Sequence, residues 1–221
     1  MSATLQQKPY KGMAMEGVVA RWYARLTAKD AGQFAKEAAA IAGQVPGGSA
    51  ILEVAPGPGY LAIELAKLGS YRIVGLDISK SFVRIATENA TKAGVDVNFK
   101  VGNASAMLFE PNSFDFIYCR AAFKNFSEPV KAIGEMYRVL KPGGSAVIYD
   151  MLKDASAAAI KEAMKEMNLG WFDSLMTAMI FPVLRKRAYL QSEFKQMVAQ
   201  TPFATCQIDC KGMGAKVIMR K

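Results

Sequence analysis

Two glycines and a downstream carboxylate form the part of this sequence best suited to hold a nucleotide-like ligand. Gly57 and Gly59 follow a short apolar run, Ile51, Leu52 and Val54, that resembles a buried parallel strand in composition. Glycine lets a ligand approach the backbone closely, and the free N–H groups of a following helix would face that ligand. Asp77 lies near the usual distance downstream for a contact with a ribose diol. Together with Ala62 these residues match the dinucleotide fingerprint G-x-G-x-x-G/A, so a dinucleotide is one predicted ligand.

Histidine is absent from the chain, which removes both the commonest general base and the commonest metal ligand. The three cysteines, Cys119, Cys206 and Cys210, have neither disulfide nor zinc-site spacing. We therefore expect no metal site. With reduced thiols, no signal peptide and no apolar run long enough to cross a bilayer, we also expect a cytoplasmic location.

Charge is unevenly distributed over the 221 residues. The net charge is +9, and residues 181–221 carry eight basic and two acidic side chains. Such a segment could attract nucleic acid or an acidic small molecule, but no basic run exceeds Arg185-Lys186-Arg187, and a solvated face is the simpler interpretation. Nucleic acid is therefore a less favoured partner than a small-molecule substrate.

Further motifs bear on whether the ligand is a dinucleotide or a different adenosine-containing cofactor. The stretch Glu53-Val54-Ala55-Pro56-Gly57-Pro58-Gly59 resembles the first motif, E/D-x-G-x-G-x-G, of the class I S-adenosylmethionine-dependent methyltransferases, with Ala55 in place of the first glycine. Arg138-Val139-Leu140-Lys141-Pro142-Gly143-Gly144 resembles the helix-to-strand join of that family and is not expected of dehydrogenases. The motifs follow in the family's order from Ile51 to Asp150, which makes an NAD(P)-binding oxidoreductase a minor alternative.

The resemblance implies S-adenosylmethionine as the cofactor and assigns its contacts. Asp77 would bind the ribose, Ile78 would flank the adenine ring, and Asn103 would replace the usual acid at the adenine amino group. Arg120, the residue after the fourth strand, would hold the methionine part mainly through its backbone. The full predicted cofactor set is Glu53, Ala55, Gly57, Gly59, Asp77, Ile78, Asn103, Ala104 and Arg120.

The fold implied is an α/β, seven-stranded Rossmann-like methyltransferase sheet with helices on both faces. We predict a single domain made of an N-terminal helical cap (1–48), a cofactor-binding core (49–150), a helical insertion after strand 5 (151–200) and a C-terminal β-hairpin (201–221). The cap segment from Tyr10 to Gly17 is expected to fold over the cofactor and substrate. The predicted helix caps are Asp30, Ser79 or Ser81, and Ser127, and Leu68 and Ala93 are predicted to face inward. A strand is predicted from Ser145 to Tyr149, and a largely apolar segment runs from Asn168 to Leu184.

The predicted activity is metal-independent methyl transfer to a small-molecule acceptor by in-line displacement, with an oxygen, nitrogen or carbon nucleophile left open. An amine or thiolate needs only positioning, whereas a hydroxyl or carbon acid needs a base. Tyr23, Lys124 and Tyr189 are the leading candidates for a catalytic group; Glu16, Tyr149 and Asp150 are the others. An RNA or protein methyltransferase that uses the basic C-terminal segment remains an alternative.

Overall fold

The computed structural model describes residues 10–12, 14–166 and 181–221. Its helices are α1 (Gly17–Thr27), α2 (Ala31–Ala42), α3 (Tyr60–Ala66), α4 (Lys80–Ala93), α5 (Pro129–Val139), α6 (Ala157–Glu166) and α7 (Gln191–Ala199). Residues 181–187 are also helical, and single 3-10 turns occupy Ala28–Asp30 and Phe123–Asn125. The strands are β1 (Ala50–Val54), β2 (Arg72–Asp77), β3 (Asn98–Val101), β4 (Phe114–Arg120), β5 (Leu140–Met151), β6 (Gln207–Lys211) and β7 (Gly214–Arg220).

The strands form one seven-stranded sheet in the order β3-β2-β1-β4-β5-β7-β6. β1 to β5 pair in parallel, whereas β7 lies antiparallel between β5 and β6. The chain moves outward from β1 through β2 to β3 and then returns to the other side of β1 with β4. Ligands of open α/β sheets bind at the carboxyl ends of the strands at such a switch point. The topology therefore places the glycine loop, which follows β1, at this position.

Helices cover both faces of the sheet, as the sequence predicts. On one face, buried side chains of α2, α3 and α4 pack against β1 and β2 in one cluster. On the other face, α5 and α7 pack against β4, β5 and β7 in a second cluster. All five residues of β1 are buried, because a parallel strand in the middle of the sheet is covered from both sides. α1 packs on the start of α4 through a third, smaller cluster.

Four local predictions are wrong. Asp30 is at the N-cap position of α2 but its side chain makes no capping hydrogen bond, and the N-cap position of α5 is Glu128 rather than Ser127, also without a side-chain capping hydrogen bond. Leu68 lies beyond the end of α3 and is 51% exposed, and Ala93 is exposed at the last residue of α4. Helix propensity and hydrophobic periodicity predict well where the helices lie. The residues at which each helix begins and ends depend on the packing of neighbouring segments.

β5 begins at Leu140 and not at the expected Ser145, because Leu140 already pairs with Phe114 of β4 and the Lys-Pro-Gly-Gly stretch forms an irregularity within the strand before the pairing resumes at Ser145. Gly143 donates to the carbonyl of Lys221, and Lys221 donates to the carbonyl of Gly144. The predicted C-terminal hairpin is present as β6 and β7. Most of the predicted apolar segment Asn168–Leu184 falls outside the described residues. Within the described part of the chain, no helix has the length and apolar character that crossing a bilayer requires.

Candidate functional site

The loop between β1 and α3 has an unusual backbone. Ala55, Gly57 and Gly59 all have positive φ angles, of 56°, 56° and 80°. Position 59 also has no room for a side chain, because a Cβ there would lie 2.6 Å from the Phe99 ring and 2.9 Å from the Cβ of Ala86. Ala55 stands where the resemblance expects glycine, and the left-handed region costs an L-residue roughly 1–2 kcal/mol. The loop therefore keeps the expected geometry at some cost in strain.

Asp77 joins this loop to the end of β2. Its Oδ2 accepts a hydrogen bond from the Gly57 N–H at 3.0 Å, and its Oδ1 accepts one from the Ser79 N–H at 2.9 Å. The side chain is buried, and this burial raises the pKa of the carboxyl to about 6. An ionised carboxylate has about four acceptor positions, so acceptor capacity remains for a ligand diol.

Glu53 occupies β1 just before the loop. Its side chain is buried, and its Oε2 has no hydrogen-bond partner within the described residues. Burial raises its pKa to about 8, so the carboxyl is mostly protonated at neutral pH. Buried polar atoms of folded proteins are normally paired, which makes this oxygen a place for a polar ligand atom or a water molecule.

Arg120 ends β4, on the opposite side of β1 from Asp77. Its Nε donates to the Glu37 carboxylate at 2.7 Å, and its guanidinium carbon lies 4.8 Å from the centre of the Phe34 ring. Burial would lower the pKa of Arg120, but the Glu37 charge and hydrogen bond raise it above its usual value. The side chain is thus bound to α2, which leaves the backbone as the part of Arg120 that can serve a ligand.

The turn after β3 lies against Asp77. Gly102 donates its N–H to the carbonyl of Asp77 at 2.9 Å, which holds Asn103 and Ala104 next to the end of β2. The Oδ1 of Asn103 already accepts a hydrogen bond from the Ser105 N–H, also at 2.9 Å. Ile78 is 37% exposed at the same edge. The structure therefore brings Asp77, Ile78, Asn103 and Ala104 together at the carboxyl ends of β2 and β3.

An N-terminal strap, the described residues 10–12 and 14–16, connects the loop after β4 with the start of α4. At one end Lys11 donates its N–H to the carbonyl of Asn125 at 2.6 Å. At the other end the carboxylate of Glu16 accepts from the N–H groups of Lys80 and Ser81, at 3.0 Å each. Ser79 Oγ donates to the Met15 carbonyl at 2.6 Å. The strap contacts both sides of the switch point, in line with the expected cap.

The role of Glu16 as a cap for α4 does not follow from the sequence. A carboxylate at a helix N-terminus satisfies free N–H groups and interacts well with the helix dipole. The predicted cap, Ser79, is also present and accepts from the Phe82 N–H at 3.0 Å. No sequence signal could reveal Glu16, because the residues it caps lie 64 and 65 positions away.

The three leading catalytic candidates have different surroundings. Tyr23 lies over the glycine loop, since its Cε1 is 4.0 Å from the position a Cβ on Gly57 would occupy. Burial raises the pKa of its phenol. Lys124 is buried in an ion pair with Asp150, Nζ to Oδ1 2.8 Å. Tyr189 accepts a hydrogen bond from Lys11 Nζ at 2.7 Å, which places it beside the strap.

These residues fit S-adenosylmethionine. Asp77 has acceptor positions left for the ribose diol, and the glycines present no side chain to the ligand. Glu53 keeps a buried oxygen without a partner in the described residues. The individual cofactor contacts remain predictions for the whole set: Glu53, Ala55, Gly57, Gly59, Asp77, Ile78, Asn103, Ala104 and Arg120.

Comparison with known proteins supports the same assignment. Residues 52–148 match a family model described as a methyltransferase domain. A demethylmenaquinone methyltransferase of Thermus thermophilus is 37% identical over 101 residues, which are 45% of this chain and 46% of that protein. One of Chlorobaculum tepidum is 30% identical over 154 residues, 70% of this chain and 60% of that protein. This chain thus spans about half the length of the curated relatives it matches.

Solved structures support the fold. A Methanococcus maripaludis protein assigned to the S-adenosyl-L-methionine-dependent methyltransferases has a TM-score of 0.80 and 20% identity, with 95% of each chain covered. An S-adenosylmethionine-dependent methyltransferase from Aquifex aeolicus has a TM-score of 0.62 and 21% identity, covering 89% of this chain and 92% of that one. The family match therefore places a methyltransferase domain at residues 52–148, the motifs there follow the order of the class I S-adenosylmethionine-dependent enzymes, and the solved structures share its fold, which together support S-adenosylmethionine as the cofactor.

Proposed function

We propose that this protein transfers a methyl group from S-adenosylmethionine to a small-molecule acceptor by in-line displacement. The hydrogen bond between Gly57 and Asp77 is the observation that carries the proposal. It joins the glycine loop to the carboxylate that the family uses for the ribose, at the switch point of the sheet. The family match over residues 52–148 supports the same reaction class.

The chain's own residues would bind, orient and enclose the reactants. When bound, S-adenosylmethionine supplies a methyl group on a sulfonium, so the cofactor carries the reactive bond. Asp77 and the glycine loop would orient the adenosine end. The strap and Tyr23 would keep water away and hold the acceptor in line, since positioning can provide a large share of such a rate enhancement.

The surroundings of the candidate bases favour an acceptor that needs none. Lys124 is in a buried ion pair, and Glu16 caps α4. The raised pKa of Tyr23 keeps its phenol neutral at physiological pH, where it can orient an acceptor by hydrogen bonding but cannot take a proton. An amine, a thiolate or an already ionised hydroxyl compound would react with positioning alone.

A ring-carbon acceptor of the quinone type is a second candidate. It is suggested by the names of the relatives, which include the ubiquinone/menaquinone biosynthesis C-methyltransferase of Hydrogenovibrio crunogenus, 34% identical over 110 residues. A hydroquinone ring can be activated through its own ionised hydroxyl, so this acceptor also needs no strong base from the protein. RNA, protein and NAD(P)-linked chemistry remain as alternatives for the test.

Calorimetry with S-adenosylmethionine, S-adenosylhomocysteine and NADPH tests the cofactor directly. We expect micromolar binding of the first two and no binding of NADPH. A methyl-label transfer assay should then be run with four separate pools: small amines and thiols, hydroquinones, RNA and protein. Labelling of a small-molecule pool alone is the expected result. Labelling of RNA or protein alone would overturn the proposed acceptor class, and binding of NADPH alone would overturn the reaction class.

A further inference from the structure

A buried ion pair fixes the loop that follows β4. Lys124 and Asp150 have side chains that are only 5% and 1% exposed, and Nζ lies 2.8 Å from Oδ1. The Asp150 carboxylate also accepts from the backbone N–H of Lys124 at 2.9 Å and from that of Met151 at 2.8 Å. The pair therefore attaches the short 3-10 turn after β4 to the end of β5 through both side-chain and backbone atoms.

The same lysine reaches back to the first residue after β4. Lys124 Nζ donates to the carbonyl of Ala121 at 2.5 Å, and the Ala121 N–H donates to the carbonyl of Tyr149 at 2.7 Å. Ala121 has a φ of 56°. This left-handed conformation is unfavourable for most residues, whereas glycine adopts it freely and asparagine and aspartate adopt it more often than the others. Its strained peptide is thus held from both sides, and the Lys124 ammonium provides one of the two contacts.

We propose that Lys124 and Asp150 are positioning residues that set the affinity for S-adenosylmethionine by holding the Arg120–Ala121 backbone in its strained form. This inference rests on the proposed function, because it assigns the methionine end of the cofactor to that backbone. Neither residue needs to touch the cofactor. Their effect would pass through the peptide of Ala121, which lies at the carboxyl end of β4.

A second ion pair between the same two strands provides a matched control. Lys141 Nζ lies 2.9 Å from Asp115 Oδ2, and both side chains are 35% exposed. This pair joins β5 to β4 at the opposite, amino-terminal end of the strands. It therefore links the same elements without reaching the candidate site.

The experiment compares Lys124→Met, Asp150→Asn, the double variant and Lys141→Met. Melting temperature and the Kd for S-adenosylhomocysteine are measured for each. We expect the double variant to bind about tenfold more weakly, and Lys141→Met to bind as the wild type does. A single substitution leaves the other charge buried and can unfold the protein, so the folded double variant decides the outcome. A double variant with unchanged Kd overturns the proposal.

A glycine at position 121 separates positioning from general stability. Glycine adopts a positive φ without strain, so Ala121→Gly should restore at least part of the lost affinity in the double-variant background. A structural role alone would predict no such rescue, and a failure to rescue overturns the assignment to the Ala121 backbone.

The readout keeps this test independent of methyl transfer, because S-adenosylhomocysteine binding needs no acceptor. If the wild type binds it and methylates nothing, the proposed reaction fails while the effect of the pair is still measured. If methyl transfer is found, the double variant should raise KM for S-adenosylmethionine more than it lowers kcat. Equal relative changes in KM and kcat would argue against a role of the ion pair in positioning the cofactor.

Discussion

The carboxylate of Asp77 accepts the backbone N–H of Gly57 at 3.0 Å, across 20 positions of sequence. One side chain thereby links the glycine loop to the end of β2, where its carboxylate can accept further hydrogen bonds. The loop and the acid are therefore one unit, and a change at either should affect the other.

Replacement of Asp77 by alanine removes this unit's charged acceptor. We expect Asp77→Ala to weaken S-adenosylmethionine binding by about 1.5–3 kcal/mol, the usual cost of losing hydrogen bonds to a charged group. Calorimetry measures the change. Asp96→Ala, at an exposed aspartate after α4, is the control and should bind normally. Equal affinity of the Asp77 variant and the wild type would refute the ribose assignment.

Gly57 and Gly94 allow a comparison in which the same substitution causes similar backbone strain at both positions. Both have positive φ, 56° and 67°, but only Gly57 lies in the candidate site. Valine at either position should destabilise the fold because the left-handed region excludes β-branched residues. We expect only Gly57→Val to abolish S-adenosylmethionine binding, as measured by calorimetry on protein shown to be folded by circular dichroism. Loss of binding in both variants would mean that backbone strain causes the loss, and not the position of Gly57 in the candidate site.

Glu53 should make the stability of the folded protein depend measurably on pH. Its pKa rises from 4.5 to about 8 on folding through burial, so the folded state binds the proton more tightly. Stability must then fall as pH rises from about 4.5 to 8 and level off above that range. Asp77, raised to about 6, makes the same kind of contribution at lower pH.

Glu53 makes the larger contribution between pH 6 and 8, because the chain has no histidine and the pKa of Asp77 lies at the lower end of this range. From the raised pKa we expect the free energy of unfolding to fall by about 2 kcal/mol across this window. Glu53→Gln should flatten the curve, and urea denaturation at several pH values measures it. Glu88→Gln, on the exposed face of α4, should keep the wild-type slope. A wild-type curve without slope would contradict the buried, protonated state of Glu53.

Glu16 should connect the strap to the cofactor site. Glu16→Ala removes the acceptors for the N–H groups of Lys80 and Ser81, and the loss of such a cap typically costs about 1 kcal/mol. We also expect the affinity for S-adenosylmethionine to fall several-fold, since the strap then lacks one of its attachments. Thermal denaturation and calorimetry measure the two effects. Glu64→Ala, which breaks only a surface ion pair with Lys67, should leave the affinity unchanged.

Sequence reasoning predicted the central sheet well for a physical reason. β1, β2 and β4 are covered from both sides, so each is a short apolar run bounded by turn residues. Their motifs follow one another in an order specific to one fold. The glycine loop and the acid at the end of β2 could therefore be placed at the switch point before any coordinates were known.

Polar pairing between distant segments could not be predicted in the same way. Arg120 pairs with Glu37 across 83 positions, and Lys124 pairs with Asp150 across 26. A charged residue has many partners of suitable type in the chain, and spacing does not select among them. The assignment of Lys124 as a candidate base illustrates the difficulty, because its burial depends on the loop after β4 and not on its neighbours in sequence.

The strand order also has a consequence for synthesis of the protein. β1 is flanked by β2 and β4, and Leu52 pairs with Ile117 as well as with Val74. Translation proceeds at roughly 5–20 residues per second, so one edge of this largely apolar strand stays unpaired for several seconds after it leaves the ribosome. The nascent chain is then most exposed to aggregation between the emergence of β1 and that of β4. Chaperone demand during translation should therefore peak in that interval.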